Sequence, residues 1–241
     1  MILGSQSPAN PLVSIGVPVL NEETLIESHI LRLLEQTYRP MQIVVSDNDS
    51  TDRTGAIVQS LEKRFPEVIS VVQKTRLNIM SNYWATLQHA EGKLFMWAAP
   101  DDVRDHSYVA RLVAALDSDS SAVSATSPDI FYSRIGTPRE HWNDFSIDDA
   151  ETSSRVSAFF DHAWQSSGIF NGLHRRKVLL DMPGAPVQLP GDWVVGLWML
   201  KHGRILRLRE GSLTVGDSGR SNSPQRFAMY RKDFADWIWP F

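Results

Sequence analysis

The sequence of 241 residues contains no cysteine. That removes disulfide frameworks, cysteine zinc sites and thiol catalysis from consideration. It also lacks an excess of positive charge, with 24 Lys+Arg against 28 Asp+Glu and a formal net charge of -4. A nucleic-acid partner is therefore not expected. The opening MILGSQSPAN has neither a basic start nor a long apolar run, so no secretory signal is read. No stretch approaches the roughly 20 apolar residues that span a bilayer. No G-x-G-x-x-G follows a strand, no G-x-x-x-x-G-K-[ST] loop is present, and no H-E-x-x-H occurs. The seven histidines, at 29, 89, 106, 141, 162, 174 and 202, show no ligand spacing and read mostly as surface or supporting residues. What these absences leave is a cytoplasmic enzyme or binding domain, long enough for one large core.

The first strong signal is the apolar, β-branched run Leu12–Leu20, which suits a buried strand that Pro18 should end or bulge. Leu25 to Leu34 carries a broad apolar helical face, and Gln42–Ser46 is a second strand. A helix over Thr51 to Phe65, N-capped by Ser50 or Thr51, leads to a third strand at Val68–Gln73. A helix over Asn82 to Ala90 and a fourth strand at Lys93–Ala98 deliver the chain to Pro100-Asp101-Asp102. A helix from Ser107 to Leu116 follows. Strands and helices alternating at this spacing predict a mostly parallel sheet flanked by helices.

The second half is less regular. Residues 133–155 read as a polar excursion, followed by a helix at Arg155–Gln165 and a turn and strand at 168–170. A short helix at Arg175–Leu180, a proline-rich loop from Met182 to Pro190, an apolar helix at Trp193–Lys201 and a strand at Arg204–Arg209 complete the pattern. With no repeat and no linker, residues 1–241 read as a single domain.

In a parallel sheet, ligands bind beyond the carboxyl ends of the strands. Three polar clusters fall there: Pro18 to Glu22, Asp47 to Asp52, and Asp101-Asp102. One such cluster is what turns ordinarily contain; three on one rim point to a site. The adjacent pair Asp101-Asp102 is the sharpest item, because neighbouring carboxylates repel unless a cation or donors compensate them. Magnesium is commonly held by one or two carboxylates together with substrate phosphates.

The runs VSIGVPVLNEE, IVVSDNDSTDRT and RLNIMSNYWATLQHAEGKLFMWAAPDD, in this order, resemble family 2 glycosyltransferases of the GT-A, Rossmann-like fold. The resemblance covers roughly residues 12–116, the nucleotide-sugar-binding half. GLHRRKVL and PGDWVVGLWMLKHG, within 117–241, resemble the acceptor-binding half less tightly. It implies inverting sugar transfer from a nucleoside diphosphate-sugar to an acceptor hydroxyl of a glycan or lipid-linked glycan, in cell-surface polysaccharide or O-antigen synthesis. It implies that Pro18, Asn21 and Glu22 line the nucleotide pocket, and that Asp47 bonds the base with Arg76 and Asn78 nearby. Asp101 would hold ribose or metal, Asp102 would ligate Mg2+ or Mn2+, and Asp192 would be the catalytic base. Capping of the Trp193 helix is the structural alternative for Asp192.

Two departures stand out. Pro100 occupies a position where the family's metal motif often has Asp, and Thr214–Arg220 lacks the His of the family's terminal segment, leaving Arg220 as its cation. A non-catalytic nucleotide-sugar or glycan-binding module on the same fold is the alternative function. A nucleotidyltransferase ranks lower, because PVLNEE replaces the glycine-rich loop expected after its first strand. The aromatic tail Asp236–Phe241 suits packing on the core, or a peripheral contact with the inner membrane face or a partner.

Overall fold

In the computed structural model, residues 10–132, 138–140, 146–163, 168–186 and 191–216 are described. Arg220, the aromatic tail, and residues 133–137 and 141–145 of the 133–155 excursion lie outside them.

Strand β1 (Val13–Val19) leads to helix α1 (Ile26–Leu34), β2 (Met41–Asp47), α2 (Thr54–Arg64) and β3 (Val68–Val72). Helix α3 (Ile79–Gln88), β4 (Leu94–Trp97), the two-residue β5 (Val103–Arg104) and α4 (Tyr108–Ser118) follow. Next come β6 (Ala122–Thr126), β7 (Asp129–Tyr132), β8 (Pro138–Glu140) and α5 (Thr152–Ala158), which runs into a π-helical turn at Phe159–Ala163. The chain continues through β9 (Leu173–Arg175), α6 (Arg176–Leu180), α7 (Gly191–His202), β10 (Arg204–Arg207) and β11 (Leu213–Val215).

Seven strands form the main sheet in the order β10-β6-β9-β4-β1-β2-β3. Every pairing is parallel except those of β9, which is wedged antiparallel between β4 and β6. The expected parallel α/β sheet with helices on its faces is the one observed. Period-two alternation sends Leu94, Met96 and Ala98 to the face packed by α1, α2 and α4, and Phe95 and Trp97 to the face packed by α3, α6 and α7. Trp97 stacks on Phe170 with ring centroids 4.6 Å apart, anchoring the second face. A smaller sheet, β5-β11-β7-β8, sits beside the carboxyl end of β4.

Pro18 neither ends nor bulges β1; the strand pairs with β2 through Val19↔Asp47. The reason is directional. Pairing with β4 stops at Gly16↔Trp97, and the Gly16 carbonyl accepts the Ala98 N–H at 2.9 Å. The nitrogen of Pro18, two residues on, points to the same side, where β4 has ended, so no ladder bond is lost.

Other boundaries differ from expectation. Helix α2 starts at Thr54, with no side-chain cap from Ser50 or Thr51; the Thr54 N–H is met by Asp52 Oδ1 at 2.9 Å. Helix α3 starts at Ile79. The turn at 168–171 precedes the strand instead of being part of it, and α7 begins at Gly191. Two histidines, His29 and His174, are core residues at 1% and 0% exposure.

Candidate active site

The carboxyl ends of β1, β2 and β4 form one rim, and side-chain hydrogen bonds stitch its loops together. Asn21 adopts φ 56, a left-handed conformation that Asn tolerates. Its Oδ1 accepts the Thr51 N–H at 2.8 Å, and its own N–H donates to Ser50 Oγ at 2.9 Å. The Glu22 N–H donates to Thr54 Oγ1 at 2.8 Å, and Glu23 N–H to Asp52 Oδ2 at 3.2 Å. Desolvation opposes ionisation of Asp52, but hydrogen bonds from Thr54 and Glu23 outweigh it and hold its carboxyl below the usual range.

Asp47, the last residue of β2, is buried and its Oδ1 accepts the Ser50 N–H at 3.2 Å. Its side chain thus braces the acidic turn and lies against Gly55. The next residue, Asn48, belongs to the Asp47–Asp52 cluster, which assigned it no separate role, and does much of the positioning. Its Oδ1 accepts the Leu77 N–H at 2.7 Å while its Nδ2 donates to the Leu77 carbonyl at 3.0 Å, imitating a strand rung. That fastens the 74–78 loop to the rim. Arg76 is exposed there and donates to the Asp49 carbonyl at 2.8 Å. Asn78 is the N-cap of α3, accepting from Ser81 N–H at 2.8 Å, so its carboxamide oxygen serves the helix. Below these loops Ser46, Gln73 and Asn82 form a connected group: Gln73 Nε2 donates to Ser46 Oγ, which donates to Asn82 Oδ1.

The two aspartates after β4 are not equivalent. Asp101 is half-buried, whereas Asp102 is 3% exposed. Burial pushes the Asp102 carboxyl above its ordinary value, Arg104 pulls it down, and Asp101 pushes it up; the net direction is upward. Its Oδ2 lies 3.5 Å from Arg104 Nη2, and its Oδ1 accepts the Gly216 N–H at 3.2 Å. Arg104, spaced two residues from Asp102 in extended chain and so on the same side, also escaped the sequence reading. Among the described residues, no three His, Asp or Glu side chains converge as a ready-made metal cage. The half-buried Asp101 fits a cation whose remaining ligands come from a bound diphosphate, since Mg2+ needs only one or two protein carboxylates there.

Asp192 lies in the first turn of α7, half-buried, and its Oδ1 accepts the Trp193 N–H at 3.0 Å. Desolvation raises its pKa above the usual carboxylate value. The helix start is seated on α3: a Cβ at Gly191 would meet Met80 Sδ at 2.9 Å. Asp192 is therefore held near the same helix end that carries Asn78. The rim thus gathers Pro18, Asn21, Glu22, Asp47, Arg76 and Asn78 around the ends of β1 and β2, with Asp101 and Asp102 after the adjacent β4.

A profile of Glycosyl transferase family 2 matches residues 14–178. Among solved structures, residues 1–349 of S. aureus TarS superpose with a TM-score of 0.70 at 17% identity, covering 89% of this chain and 61% of that one. The mannosyltransferase PcManGT from Pyrobaculum calidifontis, in complex with GDP-Man and Mn2+, gives 0.65 at 18% identity, covering 96% and 65%. These likenesses are of fold. In sequence, an uncharacterized glycosyltransferase of Haemophilus influenzae is 28% identical over 107 residues, 44% of this chain and 33% of its own. The GalNAc(5)-diNAcBac-PP-undecaprenol beta-1,3-glucosyltransferase of Campylobacter jejuni is 38% identical over 53 residues, 22% of this chain and 17% of its own. The matched segments span a third or less of these relatives' length. More than half of the chain falls within the family profile, and the chain belongs to glycosyl transferase family 2.

Proposed function

We propose that this chain transfers a sugar, with inversion, from a nucleoside diphosphate-sugar to an acceptor hydroxyl. The observation that carries the reading is the clustering, within the family-matched region, of the β1, β2 and β4 ends around the half-buried Asp101. The nucleoside would lie over the β1 and β2 loops, near Arg76, Asn21 and Glu22, with Asp47 bracing the turn that forms its floor. The half-buried Asp101, in the rim segment that Asp102 anchors, would hold Mg2+ or Mn2+, which when bound supplies positive charge opposite the departing diphosphate.

Asp192 takes the acceptor proton. Its burial keeps the carboxyl more basic than an exposed aspartate, which favours proton abstraction near neutral pH. Fixed loops around donor and acceptor reduce the freedom that must be lost on the way to the transition state. The acceptor is a glycan or lipid-linked glycan of the cell surface, presented at the cytoplasmic membrane face. The name of the C. jejuni relative, an undecaprenol-linked glucosyltransferase, supports that class. Among the described residues no helix is long and apolar enough to cross a membrane, so any contact of this part with lipid would be peripheral.

Calorimetry with UDP and GDP, in Mn2+ and in EDTA, tests the donor side. Binding that strengthens in Mn2+ is expected; equal affinity in both removes the cation from the site. Turnover of UDP- or GDP-sugars then separates an enzyme from a binding module.

A further inference from the structure

Asp102 and Arg104 bury their side chains almost completely, at 2% and 1% exposure. The Arg104 guanidinium donates to the Trp97 carbonyl at 2.9 Å, lies 5.8 Å from the Tyr108 ring centroid, and leaves Nε and Nη1 without a hydrogen-bond partner. Asp102 is thus the carboxylate nearest a buried cation that has few other partners. Each oxygen of Asp102 already faces a donor, Oδ2 toward Arg104 and Oδ1 toward the Gly216 N–H. Breaking a buried ion pair is costly, because the remaining charge is left uncompensated.

The Gly216 end of that contact is equally constrained. Strand β11 pairs antiparallel with β5 through Leu213↔Arg104 and Thr214↔Val103. Continuing that direction brings Gly216 directly against the aspartate pair. A Cβ at Gly216 would run into the Asp101 carboxyl, so glycine is required for the close approach. Gly216, the residue after β11, is therefore held beside Asp101 by a main-chain bond to Asp102.

We propose that Asp102 is a positioning residue: locked by Arg104, it fastens Gly216 and the end of β11 beside Asp101, and Asp101 makes the direct contact with the cation and diphosphate. The inference rests on the donor site proposed above. It assigns to Asp102 a role other than the metal ligation that the sequence resemblance implies. It also gives Arg104 and Gly216 functions in assembling the site: Arg104 holds the carboxylate in register, and Gly216 permits the approach.

The test uses two measurements on the full chain: the ratio of UDP or GDP affinity in Mn2+ to that in EDTA, and amide hydrogen exchange over residues 213–216. Asp101→Asn should bring the affinity ratio close to one and leave exchange at 213–216 unchanged. Asp102→Asn retains an oxygen for the Gly216 N–H, so its affinity ratio should stay within about threefold of wild type. Asp102→Ala, or Arg104→Lys where the alanine variant does not fold, should speed exchange at Gly216 about tenfold. An Asp102→Asn protein that loses the Mn2+ effect as fully as Asp101→Asn, with normal exchange, would make Asp102 a direct ligand and overturn the proposal. Unchanged exchange in Asp102→Ala or Arg104→Lys would overturn it as well. A wild-type ratio of one with both nucleotides would instead count against the donor-site reading, while the exchange arm would still decide whether Asp102 fastens β11.

Discussion

At the scale of single residues, Asp192 offers the cleanest separation of chemistry from architecture. Its carboxyl titrates higher in the folded chain than in the unfolded one, because burial disfavours the charge. The folded state therefore binds more protons in the window that starts near the ordinary carboxylate value and runs up to the raised one. Stability falls as pH rises through that window, and the loss persists at neutral pH. Asp192→Asn removes the charge while its amide oxygen can still accept the Trp193 N–H. The variant should melt no lower than wild type at pH 7, yet lose about 10²–10⁴-fold in kcat with donor affinity unchanged. Measuring kcat, donor Kd and Tm on one preparation checks all three; a wild-type kcat would return Asp192 to a purely structural role.

At the scale of elements, the rim depends on loops held by side chains imitating backbone. Asn48→Ala leaves the Leu77 N–H and carbonyl without their partners in a partly buried setting, at a cost of about 1 kcal/mol. It should also release Arg76 and weaken nucleotide binding. Asn48→Asp keeps an acceptor for the N–H but turns an oxygen toward the Leu77 carbonyl, so it should fall between alanine and wild type in urea unfolding. The rank order alanine, aspartate, wild type is the check. None of this was legible in the sequence, where Asn48 is one polar residue among several in a turn. The long elements were legible: β1 and β2 are mostly apolar and β-branched, β4 is wholly apolar, and α1 buries Ile26, Ile30 and Leu33 along one face. Strands β6 and β9 were not. The first carries Ser124 and Thr126 into the interior, and the second is three residues long with His174 at its centre, so neither presents an apolar run. The small sheet was hidden for the same reason, since β5 has two residues and β11 three. The three strand-end clusters, by contrast, were visible because alternating strands and helices place them on one rim whatever the details of the second half.

At the scale of the whole molecule, two buried histidines set the acid limit of the fold. His29 lies on the buried face of α1, where desolvation first, and then the charge of Arg104, lower its pKa to about 3. Its ring nitrogens are enclosed and face the backbone of Asp102 and Ala98. His174, between β4 and β6, is lowered to about 4 by desolvation, and its Nε2 lies 3.2 Å from the Phe170 carbonyl, which fixes that nitrogen as the protonated one of the neutral ring. Unfolded, each ring would titrate near 6.5. The unfolded chain therefore binds more protons than the folded chain below that value, and stability is lost as pH falls from about 6.5 toward 4. Each histidine contributes a slope of up to about 1.4 kcal/mol per pH unit within its window. The raised carboxyls of Asp102 and Asp192 act in the opposite sense, so comparison of variants, and not the wild-type curve alone, isolates the effect. His29→Leu fills a similar volume and removes both ring nitrogens. His174→Gln retains a donor for Phe170. Urea unfolding between pH 4.5 and 7.5 should show the acid slope reduced by about one proton in each variant and by about two in the double variant. A double variant as acid-sensitive as wild type across this range would remove the histidines as the cause, and carboxyls held low, such as Asp52, could not replace them, because they cost stability mainly below about pH 5.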